Sequence, residues 1–349
     1  MDDTVRDPQA KHRHIDVCLT DAVEYQRTTG LERYDFVNEA LPEVSLADLD
    51  LSTELAGKRL QAPLMIAPMT GGTARGQAIN RQLAAAAERF GLAFGVGSQR
   101  LALELPDREP YCRVRDVAPS VALFANLGAG QLARGWGADE ARRAVAMIEA
   151  DALFVHFNAL QEAVQGGDRD FRDVARRLAQ LCRDLAVDGI PVFAREVGFG
   201  ISGSTALRLI DCGVAGIDCA GAGGTSWAKV EAYCARTEHF RRLGFEFGEW
   251  GIPTSESVVE IREAAPTVPL IASGGLRTGL DVAKALSLGA DVGAMARPFL
   301  LAAHASDGAV DALIGRIIEE LRICMFATGS ATVSGLRGKL RLRPVIAAS

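Results

Sequence analysis

Eight short apolar runs recur along the 349-residue chain, at 63–69, 93–98, 122–128, 152–158, 191–197, 216–221, 269–275 and 292–297, and each leads through a polar or glycine-bearing end into a helical stretch. Runs apolar on both faces are what parallel strands covered by helices require. Eight βα units in succession are the number that closes a barrel, so the expected fold is a single (β/α)8 barrel of the TIM type. An open doubly wound sheet is the alternative topology. Helices are expected between the strands, at 77–90 with a stripe through Ile79, Leu83 and Ala87, and at 138–149 and 178–185. Pro191 and Pro269 open their strands, where a missing N–H does least harm.

Three regions fall outside this pitch. Residues 1–60 form an N-terminal extension with few helical signals before Leu41, and 61–329 hold the barrel. The connection 222–254, after strand six, is far longer than an ordinary βα loop and reads as a functional lid. The tail 330–349 carries a small basic run, Arg337, Lys339, Arg341 and Arg343, expected to be a solvated end or a subunit contact. One domain accounts for the whole chain.

Composition narrows the functions. A net charge of −6 argues against general affinity for nucleic acid or an anionic membrane surface. Seven cysteines without a C-x-x-C spacing indicate neither a disulfide framework nor a zinc site, and fit a reducing compartment. No leader-like segment or long apolar span is evident, so the expectation is a soluble, cytoplasmic chain. No two histidines share an H-x-x-x-H spacing and no G-x-S-x-G elbow occurs, which removes the usual starting points for zinc and serine hydrolysis.

An anion site is expected at the end of the last two strands. Ser273-Gly274-Gly275 follows strand seven and Ala296-Arg297-Pro298 closes strand eight, the two loops that recurrently hold phosphate in such barrels. The glycines allow close backbone approach, and the helix after Gly275 is expected to add its positive dipole end. Gly198-x-Gly200-x-x-Gly203, with Asp218 downstream, matches a dinucleotide fingerprint. Four βα units precede it, however, whereas that fingerprint belongs to the first turn of its own sheet.

Strand four ends on the most polar string of the chain, His156-Phe157-Asn158-Ala159-Leu160-Gln161-Glu162. His156 and Asn158 point the same way, with Gln161 and Glu162 on a loop above them. A carboxylate among amides and substrate oxygens suits a hard cation such as Mg2+. Cys219, inside strand six, is expected to be an inert core thiol.

Taken in order, Met69-Thr70-Gly71-Gly72, Gly97-Ser98-Gln99-Arg100, His156-x-Asn158-x-x-Gln161-Glu162, Gly223-Gly224-Thr225-Ser226-Trp227 and Ser273-Gly274-Gly275 resemble the type 2, FMN-dependent isopentenyl diphosphate isomerase family over residues 11–329. The resemblance implies FMN across the barrel mouth, touching Met69, Thr70, Gly71, Ser98, Asn126, Arg195, Thr225, Gly274, Gly275 and Ala296. It implies catalytic roles for Gln161, His156 and Asn158. Lys11, His14, Ser98, Arg100 and Gln161 would bind substrate, and Glu162 would hold Mg2+.

The implied reaction is a 1,3-allylic proton shift between isopentenyl and dimethylallyl diphosphate in isoprene biosynthesis, with NAD(P)H needed only to reduce the flavin. A homo-tetramer or homo-octamer is also implied. Three positions depart from the family pattern: Ala10 replaces an Arg, Arg195 a Lys, and Ala222 a common basic residue, with Arg13 the neighbouring cation that could stand in for the first. The alternatives are a divergent FMN-binding relative acting on another prenyl diphosphate, and an FMN-dependent oxidoreductase.

Overall fold

Each of the eight apolar runs contains one barrel strand in the computed structural model, which describes residues 8–343, with side chains from Lys11 onward. The strands are β1 (Leu64–Ile66), β2 (Ala93–Gly95), β3 (Leu123–Gly128), β4 (Ala152–Phe157), β5 (Val192–Glu196), β6 (Gly216–Asp218), β7 (Leu270–Ala272) and β8 (Val292–Met295). All neighbours pair in parallel, and β8 returns to β1, so the sheet is closed and the open-sheet alternative is excluded.

Alternation along the strands divides the buried residues between two cores. Met65, Phe124, Phe154, Phe193, Ile271, Val292 and Ala294 point inward, while Leu64, Phe94, Leu123, Leu153, Val192 and Leu270 pack under the helices. Three inward rings fill one side of the barrel: Phe124 stacks on Phe154 at 4.5 Å, and Phe193 meets Phe124 edge-on at 5.2 Å. Small residues complete the fit, since a Cβ on Gly216 would lie 2.2 Å from the Phe193 ring. Below, the hairpin formed by Thr53–Leu55 and Lys58–Leu60 plugs the barrel with Leu55 and Leu60.

Helices Ala74–Phe90, Ala138–Ile148 and Val174–Ala186 stand where periodicity places them. Thr73 caps the first by accepting from the Gly76 N–H. The helix Pro8–Cys18 was not legible, because its own pattern is weak. It is held by Ile15 and Cys18 packing on Val230 of the 222–254 connection and Leu300 beyond β8. The connection 222–254 folds into helices Trp227–Cys234 and Glu238–Glu246.

The tail, largely exposed over its described length, is tied back to the rest of the chain. Leu340–Leu342 pairs antiparallel with Tyr34–Phe36, Arg337 bonds Asp291 at 2.7 Å, and Arg343 bonds Asp35 at 2.8 Å. No helix among the described residues is long and apolar enough to cross a membrane.

Candidate active site

The C-terminal ends of the eight strands open into one cavity of about 920 Å3. Every residue singled out above for cofactor, substrate, metal or catalysis, from Lys11 and His14 to Ala296, lines it. Ala10 lies outside the described side chains. Ala222 does not line the cavity: it is buried with Tyr25, Val164, Phe199 and Ala228, so its position serves packing.

The anion end is built by backbone. Gly274 and Gly275 adopt φ of +98° and +77°, and there is no room for a side chain on either, since a Cβ on Gly274 would meet the Gly221 backbone and one on Gly275 would meet Thr29 and the Gly223 carbonyl. The N–H groups of Gly274, Gly275 and Leu276 find no acceptor among the described residues. The dipole end expected from the helix after Gly275 is closed, however. Helix Gly279–Leu288 carries a Thr278–Asp281 capping box, and Glu320 takes the Gly279 N–H at 2.5 Å. The open N-terminus belongs instead to helix Arg297–Ala305, which has no side-chain cap and whose Ala296, Arg297 and Pro298 line the cavity. Arg297 itself turns away to Asp21, Glu24 and the Cys18 carbonyl, pinning the N-terminal extension. Free N–H groups, an uncapped helix start and excluded side chains together fit a phosphate monoester.

The dinucleotide-like loop after β5 serves otherwise. The N–H groups of Val197, Gly198 and Phe199 all donate to one oxygen of Glu196, so the chain's own carboxylate fills that nest. Burial pushes the Glu196 carboxyl up to about 7 against those three donors. Gly200 and Gly203 instead permit close packing on Ile252 and Glu260.

At β4 the polar string forms a connected array. Asn158 Nδ2 donates to Gln161 Oε1 at 3.2 Å and to Glu162 Oε1 at 2.9 Å. Glu162 Oε2 accepts from Gln165 and from the Asp168 N–H, both at 2.8 Å. Gln161 and Glu162 stand in a short helix, Ala159–Gln165, where a loop was expected. Gln161 Nε2 reaches across to Glu231 Oε1 at 2.6 Å, and Glu231 also meets His14 Nε2 at 3.4 Å.

Glu231 is the site residue that the sequence reading missed. It lies in the helix Trp227–Cys234 and is 6% exposed. The available signal was a carboxylate on an otherwise apolar face. Burial opposes charge on His14, but Glu231, with help from Cys234, outweighs it and raises the imidazole to about 10. His14 therefore carries a proton at neutral pH.

His156 is set oppositely. Its Nδ1 lies 2.7 Å from Asn126 Oδ1, while Asn126 Nδ2 donates to the Val96 carbonyl at 3.0 Å. That amide orientation places the proton on Nδ1 and leaves Nε2 as an acceptor. Burial, reinforced by the charges of Arg195, Arg100 and Lys11, lowers His156 to about 3. Lys11 donates to the carbonyls of Gly71 at 2.6 Å and Ser98 at 3.2 Å, and burial lowers its ammonium to about 8. Cys219 is fully buried, and burial raises its thiol further from ionisation.

The chain thus has a backbone-built phosphate cradle at β7 and β8, a cationic roof from the N-terminal helix and β2, and neutral hydrogen-bonding groups between them. A family model for FMN-dependent dehydrogenases matches residues 6–103 and 186–342. An isopentenyl-diphosphate delta-isomerase of Synechococcus sp. is 50% identical over 339 residues, covering 97% of both chains. One from Stutzerimonas stutzeri is 51% identical over 330 residues, covering 94% of both. Among solved structures, a lactate oxidase of Pediococcus acidilactici aligns with a TM-score of 0.63 at 18% identity, covering 97% of this chain and 91% of that one. A mandelate oxidase aligns at 0.62 with 20% identity, covering 95% and 99%. These two share the fold. By its near-full-length identity to the isomerases and its match to the flavin-dependent family, this chain belongs to the isopentenyl-diphosphate delta-isomerase branch of the FMN-dependent dehydrogenases.

Proposed function

We propose that this protein binds FMN in the cavity and interconverts isopentenyl and dimethylallyl diphosphate by a 1,3-allylic proton shift, with Mg2+ at Glu162. The observation that carries the reading is the cavity's two anion-holding ends: a backbone cradle sized for a cofactor phosphate, and a separate cationic roof for a second anion. The near-full-length isomerase relatives support the same substrate class.

Gly274, Gly275, Leu276 and Ala296 would hold the FMN phosphate. Met69, Thr70, Gly71, Ser98, Asn126, Arg195 and Thr225 would surround the rest of the cofactor. When bound and reduced, with NAD(P)H as the expected reductant, the flavin supplies an electron-rich ring and an exchangeable proton at a ring nitrogen.

The protein's own groups do the remainder. Lys11, His14 and Arg100 bind the diphosphate as cations, and Arg13, which lines the same roof, takes the part of the missing Arg at position 10. Glu162, with both oxygens already fixed by donors, offers remaining lone pairs to a hard cation completed by phosphate and water. Gln161 is oriented by Asn158 on one side and Glu231 on the other, so its amide is held in one orientation at the cavity wall. His156, neutral and an acceptor through Nε2, orients rather than protonates. The helices of 222–254 exclude water from a cation-like allylic species.

The test is direct. Purified protein should show a flavin visible spectrum, and the anaerobically reduced protein with Mg2+ and isopentenyl diphosphate should form dimethylallyl diphosphate. A flavin-loaded protein that forms none at high enzyme concentration overturns the reading.

A further inference from the structure

The floor of the cavity carries an ion pair that the reaction chemistry above leaves unused. Arg195 is the penultimate residue of β5, and its guanidinium is buried over the Phe154 ring, 5.8 Å from the centroid. It is bonded to Asp218 at the end of β6, which is fully buried. The other oxygen of Asp218 accepts from Ser273 Oγ at 2.5 Å and from the Ala220 N–H at 3.2 Å. Ser273 immediately precedes the glycines of the phosphate cradle. Three adjacent strand ends are therefore joined as Arg195–Asp218–Ser273, and Arg195 and Ser273 both line the cavity.

Lys11 and Arg100 approach from the roof and from β2, whereas Arg195 belongs to the barrel strand itself. A lone guanidinium there would present a full positive charge to anything lying across the strand ends. Bonded to Asp218, it presents donors on a neutral pair. A buried pair holds such a charge balance tightly, because little water reaches it to screen either partner.

We propose that Asp218 is a positioning residue that neutralises Arg195 and thereby keeps the reduction potential of the bound flavin low; this rests on the FMN reading above. Reduction adds electrons to the ring, so net positive charge beside it favours the reduced form and a compensated charge does so less. Ser273 holds Asp218 in register and so couples this floor to the cradle on the cofactor phosphate.

The experiment is a charge cycle on the FMN-loaded protein. The two-electron midpoint potential is measured by slow anaerobic reduction against a reference dye, with the visible spectrum reporting flavin occupancy. Asp218→Asn, which keeps shape and removes charge, should raise the reduced-to-oxidised ratio at fixed poise at least tenfold, a positive shift of about 30 mV or more. Arg195→Met should shift it the other way. The double variant, again neutral at the floor, should return to within about threefold of the parent, or about 15 mV.

An Asp218→Asn protein with bound flavin and an unchanged or lowered potential overturns the proposal. If that variant loses flavin, Arg195→Met reads the same pair from its other side, and a potential equal to or above the parent's is then the overturning result. Failure of the parent to bind FMN would instead refute the cofactor reading, so the two failures are distinguishable.

Discussion

Glu231→Gln separates charge from shape at the centre of the site. The amide keeps an acceptor for Gln161 Nε2, now at 2.6 Å, but removes the carboxylate beside His14. In the parent, burial opposes the imidazolium and Glu231 outweighs it, giving a pKa of about 10 against an unfolded value near 6.5. The folded value is the higher one. Stability from the pair is therefore fully present below about pH 6.5 and is lost as pH rises through about 10. At pH 7.5 the surviving contribution is on the order of 3 kcal/mol.

In the variant, burial is opposed by Cys234 alone, and the imidazole should be neutral at pH 7.5. Thermal unfolding of parent and variant from pH 6.5 to 10 should show a gap of several degrees that narrows steadily as pH rises. With one cation of the proposed diphosphate site gone, kcat/KM at pH 7.5 should fall about tenfold to a hundredfold, the worth of a charge-assisted hydrogen bond. NMR titration of the His14 ring gives the assignment. A stability gap independent of pH, or a parent His14 that titrates near 6.5, refutes the reasoning.

Other expectations follow from the same geometry. Lys11 must be protonated to bind an anion and sits near 8, so kcat/KM should decline as pH rises through 8, while Lys11→Arg removes that inflection without removing the cation. Gly275→Ala places a Cβ 2.5 Å from the Thr29 methyl and 2.6 Å from the Gly223 carbonyl at a positive φ; flavin fluorescence titration should show at least a tenfold weaker FMN Kd, and an unchanged Kd would show that the cradle tolerates a side chain. Phe193→Ala, removing one of the three packed rings, should cost about 3–5 kcal/mol in denaturant unfolding; a loss below 1 kcal/mol would mean the barrel interior collapses to fill the space.

The strands were legible because their signal is local. An apolar run with a glycine-bearing end needs only its immediate neighbours to be recognised, and eight of them leave few closed arrangements. The Gly274-Gly275 turn and the polar string from His156 to Glu162 were legible for the same reason: backbone freedom and polar side chains in an apolar strand are properties of a few consecutive residues. Local pattern did not disclose which groups those residues meet. Glu231 and Gln161 are 70 positions apart, and His14 and Glu231 are 217 apart.

The helix after Gly275 offered the nearer dipole end, yet Thr278, Asp281 and Glu320 close it and leave the open end to Arg297–Ala305. Arg297, in the loop that closes strand eight, is spent on the N-terminal extension. Sequence alone determined how many barrel strands there are, where they end, and which chemistry gathers at those ends. Tertiary structure decided which charges are paired and which remain available. Pairing depends on distance and burial across the barrel mouth, and those are set by how the helices pack around it.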